Sequence, residues 1–135
     1  MSEPEAAYLA GLIDGEGTVT LTRREKTAQR TLTITIANTE RNLLEYPMGI
    51  IGAGVISSKR TQKKHHTPSF VYRITGRQAL SVLQKIVPYL RSYKKHRAEF
   101  VLAEYINVTP RNGRYGEDLL ELKRVFDEKF FKITA

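Results

Sequence analysis

Apolar residues recur along this chain with two alternating periods. The N-terminal stretch, about residues 4–14, is an apolar, small-residue segment that reads as a helix. Ser2-x-x-Glu5 has the form of a capping box, with Pro4 tolerated in the first turn. From Thr18 the period changes to two, with Val19 and Leu21 on one face and Thr18, Thr20, Thr22 and Arg24 on the other. A polar turn near residues 25–29 follows. The alternation then resumes over residues 31–36, with Leu32, Ile34 and Ile36 inward and Thr31, Thr33 and Thr35 outward. The pattern predicts a hairpin with one apolar and one hydroxyl-rich face.

Thr39 is placed to cap a second helix, reaching about Ile51 with a kink at Pro47 and stopped by Gly52-Ala53-Gly54. A second hairpin is predicted from Val55 to about Arg60 and from Ser69 to Thr75, with Phe70, Tyr72 and Ile74 in the core and Arg73 outside. A third helix, about Arg77 to Val87, buries Leu80, Leu83 and Val87 and ends at Pro88. Two more follow over roughly 95–106 and 117–130, after the breaks at Gly113 and Gly116. The order αββαββα plus C-terminal helices predicts an α+β domain spanning residues 1–135, with a four-stranded antiparallel sheet backed by helices. The nine-residue stretch 9–17 has no second copy in the chain, and there is no low-complexity segment.

Composition narrows the partners. At 41% apolar residues the chain suits a globular core, and no apolar run approaches a membrane span. The N-terminus is acidic and polar, unlike a secretory leader, so the expected location is intracellular: a prokaryotic nucleoid or cytoplasm, or an organelle matrix. The sequon at Asn107-Val108-Thr109 would then go unused. Zero cysteines exclude disulfides and thiolate metal sites, and three histidines do not make a zinc site. The net charge of +8 favours a polyanionic partner, nucleic acid ahead of an anionic membrane. Its distribution supports this. Residues 23–30 (RREKTAQR) and 59–66 (KRTQKKHH) are cationic clusters at hairpin ends, where phosphate contacts would form.

The most informative string is Leu9-Ala-Gly-Leu-Ile-Asp-Gly-Glu-Gly17. Ala7, Gly11 and Gly15 lie four apart and share one helix face with almost no side chain, so a second backbone can approach closely there. Asp14 and Glu16 fall at the helix's partially negative end, where each acid is disfavoured by about 0.3–1 kcal/mol unless a cation offsets it. A bound divalent metal would supply that offset. The same spacing also suits a buried helix followed by a Gly-rich turn with a solvated glutamate.

The whole string resembles the signature of the LAGLIDADG homing endonucleases, with Gly15 at its seventh position and Glu16 in place of aspartate at its eighth. The resemblance implies a site-specific, Mg²⁺-dependent endodeoxyribonuclease that cuts double-stranded DNA across the minor groove and leaves short 3′ overhangs. In that family two signature helices pack together at the molecular centre. One copy per chain therefore implies a homodimer through Ala7, Gly11 and Gly15 and a pseudo-palindromic site. Glu16 becomes the metal ligand. Asp14 either assists or serves as a structural acceptor of hydrogen bonds near the helix end.

Two more catalytic positions follow from the resemblance. Asn38 aligns where a polar side chain orients water, although an asparagine there equally suits a turn before Thr39. Lys94 aligns with a catalytic lysine, with Lys95 as the other register. For DNA recognition the outward sheet positions are Thr18, Thr20, Thr22, Arg24, Gln29, Thr31, Thr33, Thr35, Ser57, Lys59 and Arg73. A chain without splicing motifs favours an intron-encoded enzyme. Two other functions share such a fold: an RNA maturase that assists intron splicing, and a DNA-binding regulator that does not cut. Neither needs the metal ligand that Glu16 provides.

Overall fold

A computed structural model describes residues 1–59 and 67–135. The elements in chain order are α1 (Glu3–Glu16), β1 (Gly17–Thr22), β2 (Thr31–Asn38), α2 (Asn42–Ile51), β3 (Val55–Lys59), β4 (Ser69–Thr75), α3 (Gly76–Ile86), a 3₁₀ turn (Val87–Tyr89), α4 (Tyr93–Val108) and α5 (Glu117–Phe131). The four strands form one antiparallel sheet in the order β1-β2-β4-β3, so the predicted α+β architecture holds.

Ser2 and Glu5 close the capping box that starts α1: Glu5 N–H donates to Ser2 Oγ at 3.2 Å, and Ser2 N–H donates to Glu5 Oε1 at 2.8 Å. The helix runs two residues further than the pattern predicts, to Glu16, and passes into β1 with no loop. Gly17 makes that junction possible. A Cβ there would lie 2.9 Å from Ile13 Cα and 3.2 Å from the Thr35 carbonyl oxygen, so only glycine lets strand and helix meet.

The sheet's inner face carries Val19, Leu21, Leu32, Ile34, Ile36, Tyr72 and Ile74, all buried against helix residues including Leu9, Ile13, Leu83, Ile86 and Val101. β1 is an edge strand, and α4 closes it: Arg97, itself buried, donates from a terminal guanidinium nitrogen to the Val19 carbonyl at 2.8 Å. Among the described residues no helix is long and apolar enough to cross a membrane.

The structure corrects several boundaries. Thr39 does not cap α2, which starts at Asn42 after Arg41 with no side-chain cap; Asn38 organises the turn instead. The helix continues through Pro47, which is buried with Leu44. Helix α3 ends at Ile86, one residue early, and Pro88 falls inside the 3₁₀ turn, which needs fewer N–H donors than another α-turn. Val87 is only part-buried there, and Ile86 joins Leu80 and Leu83 on the covered stripe. Helix α4 extends the predicted span at both ends, because Ser92 caps it before Tyr93.

Candidate active site and nucleic-acid interface

The end of α1 is tied to the start of α4 in both directions. Asp14 accepts hydrogen bonds from Arg91 N–H (2.8 Å), Ser92 N–H (3.1 Å) and the Ser92 hydroxyl (2.5 Å). In return the Lys94 ammonium donates to the carbonyls of Ile13 and Asp14, both at 2.9 Å. Ser92 serves both sides, since its Oγ also accepts from Lys94 N–H as the α4 cap. Burial pushes the Asp14 carboxyl up, but the Ser92 hydroxyl, the two backbone donors and the Lys94 charge outweigh it, and the carboxyl lies below its usual range. The Lys94 ammonium is pulled down by burial and partly restored by Asp14.

This arrangement sets the two lysines apart and revises one expectation. Lys94, nearly buried, faces α1; Lys95 instead lines a shallow cleft with Val87, Pro88, Glu99 and Leu102. The positive charge at the negative pole of α1, assigned above to a bound metal, is thus supplied in part by the chain itself. Asp14 takes the structural role, its oxygens committed to three donors.

Glu16 stands apart. It is the last helical residue, its side chain is exposed, and among the described residues it makes no side-chain hydrogen bond or ion pair. Asn38 ends β2 two residues past Ile36, the partner of Gly17, and so lies at the sheet end where α1 joins it. Its Oδ1 accepts from Glu40 N–H at 2.8 Å in an Asx turn, and among the described residues its amide nitrogen makes no hydrogen bond. Among the described residues no three His, Cys, Asp or Glu side chains gather into a metal cage. A single chain offers one open carboxylate there, which fits a magnesium ion that takes few protein oxygens and completes its shell with water and phosphate.

The open face of α1 carries Ala7, Gly11 and Gly15, all exposed, and a Cβ on either glycine would meet nothing within 4 Å. Tyr8 flanks this face and packs edge-on against Tyr46, with ring centroids 5.4 Å apart.

Strand register sets the sheet's outer face. Thr18, Thr35, Arg73 and Val55 form one row across all four strands, with Thr20, Thr33 and Thr75 in the next and Thr22 beside Thr31 beyond it. Thr18, Ser57 and Arg73 are exposed, and Thr20, Thr22, Thr31 and Thr35 are part-exposed. Arg24 and Gln29 sit in the hairpin turn. With Thr22, Thr31 and Arg73 they line a cleft of about 440 Å³. Lys59 closes β3 opposite Ser69. The remainder of the second basic cluster, residues 60–66, lies outside the described residues.

Thr33 is a correction. It lies on the outer face by register but is fully buried, and its hydroxyl bonds the Thr22 hydroxyl at 2.6 Å and the Thr31 carbonyl at 3.0 Å. It is unavailable to a ligand. Two cleft residues are not among the recognition positions named from the sequence: Thr75, and Arg23, which was counted only within the 23–30 cationic cluster. The alternation through Arg73 already places Thr75 outward, whereas nothing in its neighbours distinguishes Arg23 from an ordinary turn cation.

Residues 3–87 match the model of the LAGLIDADG-like domain. The chain belongs to the LAGLIDADG family. No curated protein sequence matches it. Among solved structures, the homing endonuclease I-CvuI, crystallised with a DNA target and Mg, superposes with a TM-score of 0.79 at 21% identity, covering 98% of this chain and 83% of that one. The archaeal intron-encoded homing endonuclease I-Vdi141I, complexed with DNA, gives 0.65 at 14% identity over 98% and 86% of the two chains. The meganuclease I-SmaMI, bound to uncleavable DNA, gives 0.62 at 19% identity; the match covers 92% of this chain but 44% of that one. At these identities the likeness concerns the fold.

Proposed function

We propose that two copies of this chain form a site-specific, intron-associated DNA endonuclease. The observation that carries this reading is the exposed, uncommitted Glu16 carboxylate, at the tip of a helix whose end is pinned by Asp14 and Lys94. A group so placed is fixed in position yet free to bind something. The open Ala7-Gly11-Gly15 face would let α1 meet its two-fold mate at close range, so the two Glu16 residues would converge on one duplex.

Glu16 would hold Mg²⁺, which when bound supplies charge neutralisation at the attacked phosphate and acidity for the attacking water. The uncommitted Asn38 amide would orient water. Lys94 would act by holding the last carbonyls of α1, with one ammonium proton left to point towards the phosphate. The outer sheet rows would face the major groove on either side of the cut, where threonine hydroxyls and Arg73 can meet base edges. Two isologous subunits favour a pseudo-palindromic site, and cuts across the minor groove leave short 3′ overhangs.

Cleavage of a randomised duplex library with Mg²⁺, against a Glu16→Gln control, tests the reading. Short 3′-overhanging ends around a pseudo-palindrome, absent in the control, are expected. Selective binding without metal-dependent cutting would assign a DNA-binding regulator instead. No DNA selectivity at all would point to RNA and a splicing role.

A further inference from the structure

The first hairpin outruns the sheet. β4 pairs with β2 only as far as Thr33, opposite Thr75, after which the chain turns away into α3. β1 and β2 stay paired through Thr22 and Thr31, and the turn beyond carries Arg23, Arg24, Gln29 and Arg30. A two-stranded ribbon lacking a third strand is marginally stable in water.

Two side chains from the C-terminal helices stand where β4 would continue. The Tyr105 hydroxyl on α4 accepts from Leu32 N–H at 3.2 Å. The Lys123 ammonium on α5 donates to the Arg30 carbonyl at 3.0 Å. Both residues are buried, and Lys123 is 0% exposed. Lys123 is also paired with Asp127 at 2.8 Å and lies over the Phe126 ring, whereas its contact with the hairpin is a single backbone bond. A buried lysine is costly, and an apolar side chain would fill the same space beside Phe126 without that cost. The ammonium adds the pair with Asp127 on its own helix and, across to the hairpin, the bond to the residue 30 carbonyl.

We propose that Lys123 and Tyr105 are positioning residues for DNA recognition, holding the overhanging end of the first hairpin so that Arg24, Gln29 and Thr31 read the base pairs farthest from the cut. The inference rests on the endonuclease reading above. It assigns recognition work to helices that lie beyond the segment matched to the family.

Tyr105→Phe removes the bond to Leu32 alone, and Lys123→Met removes the bond to the Arg30 carbonyl together with the pair to Asp127; both keep most of the packing. The readout is binding selectivity measured position by position across the half-site, with melting temperature and salt dependence alongside. Selectivity at the outermost positions should fall about fivefold in each variant, the worth of one hydrogen bond. Selectivity near the cut should stay at the parent's level, and so should the salt slope, because no phosphate-facing charge is lost. Where Lys123→Met does not fold, Tyr105→Phe decides. Uniform weakening at every position, or an unchanged outer profile, would overturn the inference while leaving the enzyme reading intact. A parent that lacks sequence selectivity would overturn both.

Discussion

The end of α1 and the outer face of the sheet are both rich in polar side chains, and they use them in opposite ways. At the helix end Asp14, Ser92 and Lys94 spend their hydrogen-bonding capacity on one another and on backbone groups. On the sheet face Thr18, Ser57 and Arg73 remain open to solvent. One region is a fixed frame with a single free carboxylate at its edge. The other is a surface whose groups await partners. Chemistry on a phosphodiester demands sub-ångström placement, whereas reading different base sequences needs groups that can be exchanged without disturbing the frame. On the proposed reading the two regions would divide those requirements between them.

Asp14→Ala should break the frame hardest. It strands two backbone donors and one hydroxyl, and a loss of about 2–3 kcal/mol is expected in chemical denaturation, since hydrogen bonds to a charged group outweigh neutral ones. Acid unfolding sharpens the same point. The Asp14 carboxyl is lowered in the folded state, so its contribution is complete above the ordinary value of 3.8 and is lost as pH falls from there through the folded value. Asp14→Asn should therefore flatten the fall in stability with decreasing pH below about 4, measured by melting temperature across pH.

Arg73→Ala should leave the melting temperature unchanged, yet cost about 1–3 kcal/mol of discrimination at one symmetric base-pair position if the guanidinium grips guanine in two places. Equal losses on all sequences would mark a phosphate contact instead. Thr33→Val crosses the comparison, because this residue lies on the open face but is used as frame. A loss of about 1 kcal/mol in stability with an unchanged site preference is expected. The smallest effect on folding belongs to Glu16→Gln, which removes an exposed acid from the negative end of a helix. Its melting temperature should stay level or rise slightly while cleavage is lost.

Much of this was legible in the chain. Strict alternation between Thr18 and Thr35, and again between Phe70 and Thr75, placed the rows of both hairpins correctly because each strand has one face buried and register is then tightly specified. The capping box at Ser2 marked the start of α1 to within a residue. Thr33 was misjudged because alternation assigns a face and says nothing about whether neighbouring hydroxyls close over it. Lys94 was nominated by alignment with the family. Its direction was not, since helical spacing alone does not tell which lysine of an adjacent pair turns towards α1. Lys123 escaped notice altogether. In an exposed-looking Glu-Leu-Lys-Arg stretch, a cation that turns inward looks the same as one that does not.

The close seat of Tyr72 against Gly54 has a practical result. Its hydroxyl donates to the Ala53 carbonyl at 2.5 Å, and burial pushes its pKa up to about 12. Gly54, at φ +99°, leaves the ring its space; a Cβ there would fall 2.5 Å from a ring carbon. Burial also raises Tyr105 and Tyr115. With seven tyrosines and no tryptophan, the ultraviolet spectrum of this protein is set by its phenols. An alkaline absorbance titration should therefore show Tyr72, Tyr105 and Tyr115 ionising at higher pH in the folded chain than in the unfolded one, so the molecule carries its own optical gauge of whether its core is closed.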